Sequence, residues 1–236
     1  MVSRETSAEI RKGVKDIWLV GLGLIPLGLA FGVLMTQTGF AWWWTPIFSF
    51  VIYAGSMEFV ALNMVLTGVG PASAALTGFM VNFRHIFYGL TYPLEKVRSP
   101  IGRLYGTYAL TDESYAVVSA LPKGTKLSGP RVLTIQIAAQ TFWVGSGIVG
   151  ALAGALIPPD LQGLDFALTA LFIVLAYEAF QSTRDIGAVA IALIFGLVAW
   201  LIAPGQMLIV ALTALFVLML VRFWRPRLDA KLTHTI

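Results

Sequence analysis

Apolar residues fill long stretches of this chain, and polar residues gather in the short intervals between them. A stretch of about twenty residues is what an α-helix needs to cross roughly 30 Å of hydrocarbon. The pattern predicts spans over 17–36, 43–66, 72–90, 132–157, 164–181, 186–203 and 206–223. Residues 105–121 are apolar at both ends with Asp112-Glu113 in the middle, which leaves three readings open: a span, a re-entrant piece or a surface segment. The expected fold is an all-α polytopic membrane protein with about 7–8 membrane-embedded segments, forming one transmembrane domain over 1–236.

The interruptions refine this picture. Pro26 sits inside the first span, just before a Gly28-x-x-x-Gly32 motif, and Gly150-x-x-x-Gly154 repeats that motif near the end of 132–157. Small residues four apart let two helices approach closely. Trp42-Trp43-Trp44 suits a membrane–water interface. Tyr53-Ala-Gly-Ser-Met-Glu-Phe59 puts small residues and an acid in mid-segment, which predicts a broken helix, because irregular backbone at that depth needs protein or water around it. Ile52–Phe59 also has a faint echo in Leu175-Ala-Tyr-Glu-Ala-Phe180, the pattern expected of a weak inverted repeat.

Basic residues mark the intervals. The polar start, 1–16, the 122–131 loop, Arg184 and the tail, 224–236, can all lie in the cytoplasm together, with both termini inside. The loop 91–104 carries Lys96, Arg98 and Arg103. It falls outside if 17–36, 43–66 and 72–90 each cross once, and inside if 43–66 is re-entrant. At least one of 43–66 and 105–121 is expected to be discontinuous.

Composition narrows the function classes. Hydrophobic residues make up 58% of the chain and charged residues 12%, about half the share usual in soluble domains, so no sizeable aqueous domain fits. The net charge of +4 belongs to segment ends and reads as a topology signal rather than a nucleic-acid footprint. There is no cysteine, and the two histidines, His85 and His234, make no obvious metal site. No Gly-rich loop ends in Gly-Lys-Ser/Thr and no G-x-S-x-G surrounds a serine, so neither ATP coupling within the chain nor an enzyme is expected, nor a cofactor.

What remains is a set of costly polar residues. A charge at the bilayer centre costs about 2.5–3.5 kcal/mol on insertion scales, and such residues usually mark solute or ion pathways. Glu58, beside Gly55 and Ser56, lies too deep to snorkel. It is a candidate to bind a substrate ammonium, to carry a coupling proton, or both; the plain alternative is a hydrogen-bonded tie between helices. Arg84-His85 end another apolar stretch, with Asn82 close by; the pair can hold a carboxylate and exchange a proton, or can anchor a helix end at the interface. Asp112 and Glu113 can pair with Arg84 or line a wet path, or can lie in a solvated loop. Glu178 lies near the end of its segment, close to Gln181, Arg184 and Asp185, where snorkelling is easy. Gln136 and Gln140, one turn apart, can line a path or bond helices together.

Three motifs in order, Tyr53-Ala-Gly-Ser-Met-Glu-Phe59, Asn82-Phe-Arg-His85 and Thr111-Asp-Glu-Ser-Tyr115, together with Ile25-Pro-Leu-Gly-Leu-Ala-Phe-Gly32, resemble the AzlC family. The resemblance is distinctive over 11–121 and weaker beyond. This chain has Glu58 where the family pattern has Gln. The resemblance implies an inner-membrane exporter of branched-chain and other apolar amino acids, working with a small AzlD-type membrane subunit; homo-oligomers are also compatible with it. It raises Arg84, His85, Asp112 and Glu113 among the candidates. A zwitterion would need Arg84 or a helix N-terminus for its carboxylate and Glu58, or Asp112 with Glu113, for its ammonium. Phe31, Tyr53 and Phe59 would supply an apolar pocket. A small-solute or ion channel and a scaffold active only with a partner are the competing readings.

Overall fold

In a computed structural model of the chain, residues 4–122, 124–157, 173, 176–177, 180–181 and 184–225 are described. They are mainly helical, with no β-strand among them. Helices α1 (Arg4–Gln37), α2 (Trp44–Val51), α3 (Gly55–Leu66), α4 (Pro71–Asn82), α5 (Arg84–Thr91), α6 (Pro100–Tyr108), α7 (Asp112–Ser119) and α8 (Gly129–Gly154) are followed by α9 (Ile186–Ile202) and α10 (Met207–Trp224). Among the described residues, three helical stretches are long and apolar enough to cross a membrane: Arg4–Gln37, Gly129–Gly154 and Pro204–Trp224. Contacts divide the chain into two compact units, one of 1–63 with 83–164 and one of 64–82 with 165–236.

The first unit is built on α1 and α8, which run side by side in the same direction. Gly21 faces Phe142, Gly28 faces Ser146, Gly32 faces Gly147 and Gly150, and Gly154 faces Thr36. A Cβ on Gly32 would stand 2.0 Å from the Gly147 carbonyl oxygen, and one on Gly150 would stand 2.2 Å from that of Leu29. The two small-residue motifs therefore pack on each other, backbone against backbone, as their spacing predicts. With 26 residues, α8 is about 39 Å long and serves as a ruler for depth.

Polar groups close both ends of this pair. At the Gly129 end, the Arg131 guanidinium donates to both Asp16 oxygens (2.6 and 3.0 Å). Glu9 accepts from Ser128 (2.6 Å) and Lys12 (2.6 Å). At the Gly154 end, the Gln37 amide donates to the Gly154 and Ile157 carbonyls. The hydrogen bonds from Lys12 and Ser128 hold the Glu9 carboxyl below its usual 4.5. Its stabilisation is thus present above the unfolded value and lost as pH falls through the lower folded one. Glu9→Gln should therefore flatten the acid limb of a melting-temperature profile below about pH 4.5 and change little at neutral pH; an unaltered acid limb would show that these bonds are idle.

Segment 43–66 is broken, as expected, and its two arms form a hairpin. Thr45 lies beside Gly147, and the Phe50 carbonyl accepts from Tyr108 Oη (2.6 Å) near Gln140, so α2 descends from the Gly154 end to mid-α8. Ile52–Ala54 leave the helix, with Tyr53 at φ +39, a left-handed conformation that a bulky residue holds only under constraint. Then α3 turns back: Gly55 abuts Trp143, and Phe59 meets Phe31, the neighbour of Gly32.

The ambiguous segment 105–121 is a second hairpin, entering from the opposite end. Its first arm begins earlier than the hydropathy pattern indicates, at Pro100 behind the Ser99 cap. Gly102 faces Leu133, Gly106 faces Gln136, and Tyr108 reaches Gln140, so α6 climbs to mid-α8. The chain breaks at Ala109–Leu110, and Thr111 restarts it through a capping box with Ser114. The returning α7 packs Tyr115 and Val118 against Tyr92, Val97 and Val132 at the Gly129 end. Arms of 8 to 12 residues, about 12–18 Å each, reach mid-depth and no further. The loop 91–104 lies at the Gly129 end, where Lys96 touches Gly129. That places it with the start of α1, as the re-entrant version of 43–66 requires.

One expectation is corrected. Arg84-His85 do not end their segment. A turn at Phe83 separates α4 from α5, and Arg84 opens α5, which continues to Thr91. Within the first unit α5 lies along α7, with Tyr88 stacked on Tyr115 (4.3 Å) and Thr91 bonded to its hydroxyl (3.0 Å).

In the second unit α9 and α10 form an antiparallel pair joined through Pro204–Gln206. Asp185 caps α9 at Ala188 and pairs with Arg222 of α10 at 3.6 Å, both side chains buried. Most of the predicted span 164–181, half of the echo at 175–180, and Glu178 lie outside the described residues.

Candidate functional site

The two hairpin tips meet at mid-α8. Tyr53 and Tyr108 lie with ring centroids 5.7 Å apart. A hydrogen-bonded chain holds them: Tyr105 Oη donates to Gln140 Oε1 (2.8 Å), Gln140 Nε2 donates to Tyr108 Oη (3.0 Å), and Tyr108 Oη donates to the Phe50 carbonyl. That carbonyl is freed by the end of α2, so the second hairpin satisfies a backbone group that the first leaves open. Gln136 bonds the Gly106 carbonyl at 2.7 Å. Both glutamines are thus interhelical ties.

Arg84 and Asp112, the first residues of α5 and α7, form an ion pair one turn beyond the tip of the second hairpin. Their side chains are 49% and 38% exposed. Glu113 follows in the same helical turn, half-buried. His85 lies edge-on to Tyr88 at 5.4 Å. Ser56 is half-buried in the first turn of α3, and Asn82 closes α4 in the second unit. The structure thus joins Arg84 to Asp112, as one sequence reading proposes, and gathers Tyr53 and Glu113 nearby.

Glu58 is set apart from this pair. It is fully buried, with Oε2 2.7 Å from Ser49 Oγ on α2 and Oε1 accepting from Trp143 Nε1 on α8 (2.9 Å). Phe31 and Phe59 pack edge to face at 5.1 Å, and Phe31 stacks on Trp143. These two phenylalanines close the core around Glu58 and are not available as an apolar pocket for substrate, which corrects that expectation for them. Among the described residues no ion pair includes Glu58.

Ser49, Tyr105, Tyr108 and Trp143 are missing from the sequence candidates. One signal was available: Gln136, Gln140 and Trp143 recur at i, i+4 and i+7, a single polar-edged stripe on α8. No group of three or more metal-ligating side chains occurs among the described residues.

Comparison with known proteins covers the same region. The AzlC protein family matches residues 20–157, more than half of the chain and the part that holds both hairpins. The branched-chain amino acid transport protein AzlC of Bacillus subtilis is 34% identical over 165 residues, 69% of this chain and 64% of the Bacillus protein, so the match spans less than two thirds of that relative. An uncharacterized membrane protein of Haemophilus influenzae is 30% identical over 89% of this chain and 86% of its own length. The inner membrane protein YgaZ of Escherichia coli is 29% identical over 76% of this chain and 77% of its own. No solved structure matches. With its paired small-residue motifs, two opposed hairpins and this run of matches, the chain is an all-helical membrane protein of the AzlC family.

Proposed function

We propose that this chain is the translocating subunit of a secondary transporter that exports branched-chain and other apolar amino acids across the bacterial inner membrane. The observation that carries the reading is the half-exposed Arg84–Asp112 pair where two helix breaks meet. Charge facing lipid at such depth costs about 2.5–3.5 kcal/mol per group, and open backbone there is tolerated only beside protein or a wet cavity. A pair in this position fits a route for a polar solute. An amino-acid zwitterion can exchange with it at no net change in charge: Arg84 takes the carboxylate and Asp112, with Glu113, takes the ammonium. Leucine is then distinguished from alanine by apolar contact, worth about 0.8 kcal/mol per buried methylene.

The chain works as one transporter domain over 1–236, with 1–16 and 224–236 cytoplasmic, and with a small AzlD-type membrane subunit. Radiolabelled leucine flux in liposomes under an imposed proton gradient, with and without that subunit, tests the proposal. Saturable uptake with counterflow is expected. Ohmic conductance without counterflow would establish a channel instead.

A further inference from the structure

Glu58 is an ionisable group that the substrate site leaves unused, and its surroundings have a specific design. We propose that Glu58 binds the coupling proton of this transporter, with the Ser49 and Thr45 hydroxyls as its access path toward the Gly154 end, apart from the residues that hold the substrate. This rests on the transport reading above.

The two partners of Glu58 differ in kind. Trp143 Nε1–H can only donate, so it fixes Oε1 as an acceptor in either protonation state. The Ser49 hydroxyl can donate or accept. With Glu58 ionised, Ser49 donates to Oε2. When a proton comes in from the Thr45 side, Ser49 Oγ accepts it and passes its own hydrogen to Oε2; the new Oε2–H then donates to Ser49 Oγ, and the hydrogen left on the serine turns to the Thr45 carbonyl one helical turn back. Glu58 is thereby loaded and unloaded with no heavy atom displaced.

The path continues on the same face of α2. Thr45, four residues before Ser49, is fully buried, and its Oγ1 has no hydrogen-bond partner. An unsatisfied buried hydroxyl costs about 1–3 kcal/mol, so it fits a relay position better than a packing position. Thr45 is the second residue of α2, next to the exposed Trp42–Trp44 cluster. Two hydroxyls therefore separate Glu58 from the edge of the unit.

Among the described residues no cation pairs with Glu58. α1 offers Phe31, α3 offers Phe59, α8 offers Trp143, and α2 offers Ser49. Among the described residues, the titratable groups that sense Glu58 are the hydroxyls of Tyr53 and Tyr108. Ionised, Glu58 draws donors from α2 and α8 into charge-assisted bonds; protonated, it relaxes that grip. Proton occupancy thus sets how firmly the first hairpin is tied to α8, the helix that also carries Gln140 and the hairpin-tip bonds. Both oxygens being occupied and enclosed also leaves no approach for a substrate ammonium.

Glu58→Gln tests this, because the amide keeps both bonds, accepting from Trp143 and donating to Ser49. In liposomes the variant should keep leucine counterflow within about twofold of the parent and lose at least tenfold in accumulation driven by a pH gradient. Thr45→Val and Ser49→Ala should slow the gradient-driven flux and spare counterflow. Gradient-driven accumulation by Glu58→Gln equal to that of the parent would overturn the proposal. An independent readout needs no transport: the emission of Trp143, isolated as the difference from Trp143→Phe, should titrate with pH, and Ser49→Ala should move the midpoint. Emission flat with pH, or a midpoint indifferent to Ser49, overturns the proton site even if Glu58→Gln does not fold. Absence of counterflow in the parent strikes the transport reading instead, with the emission titration still deciding the site.

Discussion

Gly32→Val is expected to melt roughly 6–12 °C below the parent. The added Cβ would lie 2.0 Å from the Gly147 carbonyl oxygen and 2.4 Å from the Ala151 nitrogen, both backbone atoms that cannot swing aside. Relief requires α1 and α8 to separate, which undoes the packing of Gly28, Gly150 and Gly154 together. Overpacking in a yielding core costs about 1–3 kcal/mol, and a contact against backbone belongs at or above the top of that range. A loss of about 3 kcal/mol is a large part of a total near 5–15 kcal/mol. For a chain of this size it corresponds to roughly 6–12 °C in melting temperature. Gly23→Ala and Gly145→Ala are the matched controls, since a Cβ at either meets nothing within 4 Å. Each should leave stability unchanged or raise it by up to about 1 kcal/mol through helix propensity. Survival of a monodisperse size-exclusion peak after heating reads all three. Gly32→Val melting beside the controls would mean that the two helices do not meet as closely as the geometry requires.

That helix pair was legible in the sequence because it rests on a local signal, glycines four residues apart in an apolar run. The break at Tyr53–Gly55 was legible for a similar reason: small residues and an acid do not belong together in a lipid-facing helix. The second hairpin was not. Its arms are 9 and 8 residues long, and a hydropathy window wide enough to find a span averages both arms with the polar tip between them. Arg84 was misread as the end of a segment because an apolar stretch ending near a basic loop looks the same whether or not a turn at Phe83 divides it. Trp143, one partner of Glu58, was hidden by distance along the chain, lying 85 residues away. Counting basic residues as topology signals also missed that Arg131 is neutralised by Asp16. Hydropathy reports how much of the chain is buried in lipid, while the site is set by which short arms stop at the same depth.

Arg84→Ala is expected to lower leucine affinity about 100-fold while moving the melting temperature by no more than a few degrees. The two effects separate because the pair is half exposed. In the empty protein, water screens the Arg84–Asp112 attraction, and exposed pairs of this kind are worth about 0–1 kcal/mol. A bound amino acid displaces that water and leaves the guanidinium facing a carboxylate directly, where a charged hydrogen bond is worth about 1.5–3 kcal/mol. The upper figure is close to two factors of ten in affinity. Arg84→Lys keeps the charge but loses the planar fork, so it should fall between, near tenfold. Asp112→Asn removes one negative charge facing the ammonium and should weaken leucine without abolishing the response to its carboxylate, so the carboxylate analogue lacking the amine should lose less than leucine does. Leucine protection against heating and half-saturation of counterflow read these changes from opposite directions, one at equilibrium and one in flux. The opposite pattern, a large fall in melting temperature with half-saturation unmoved, would make Arg84 a structural anchor of α5 on α7 and place the carboxylate site elsewhere along the hairpin tips.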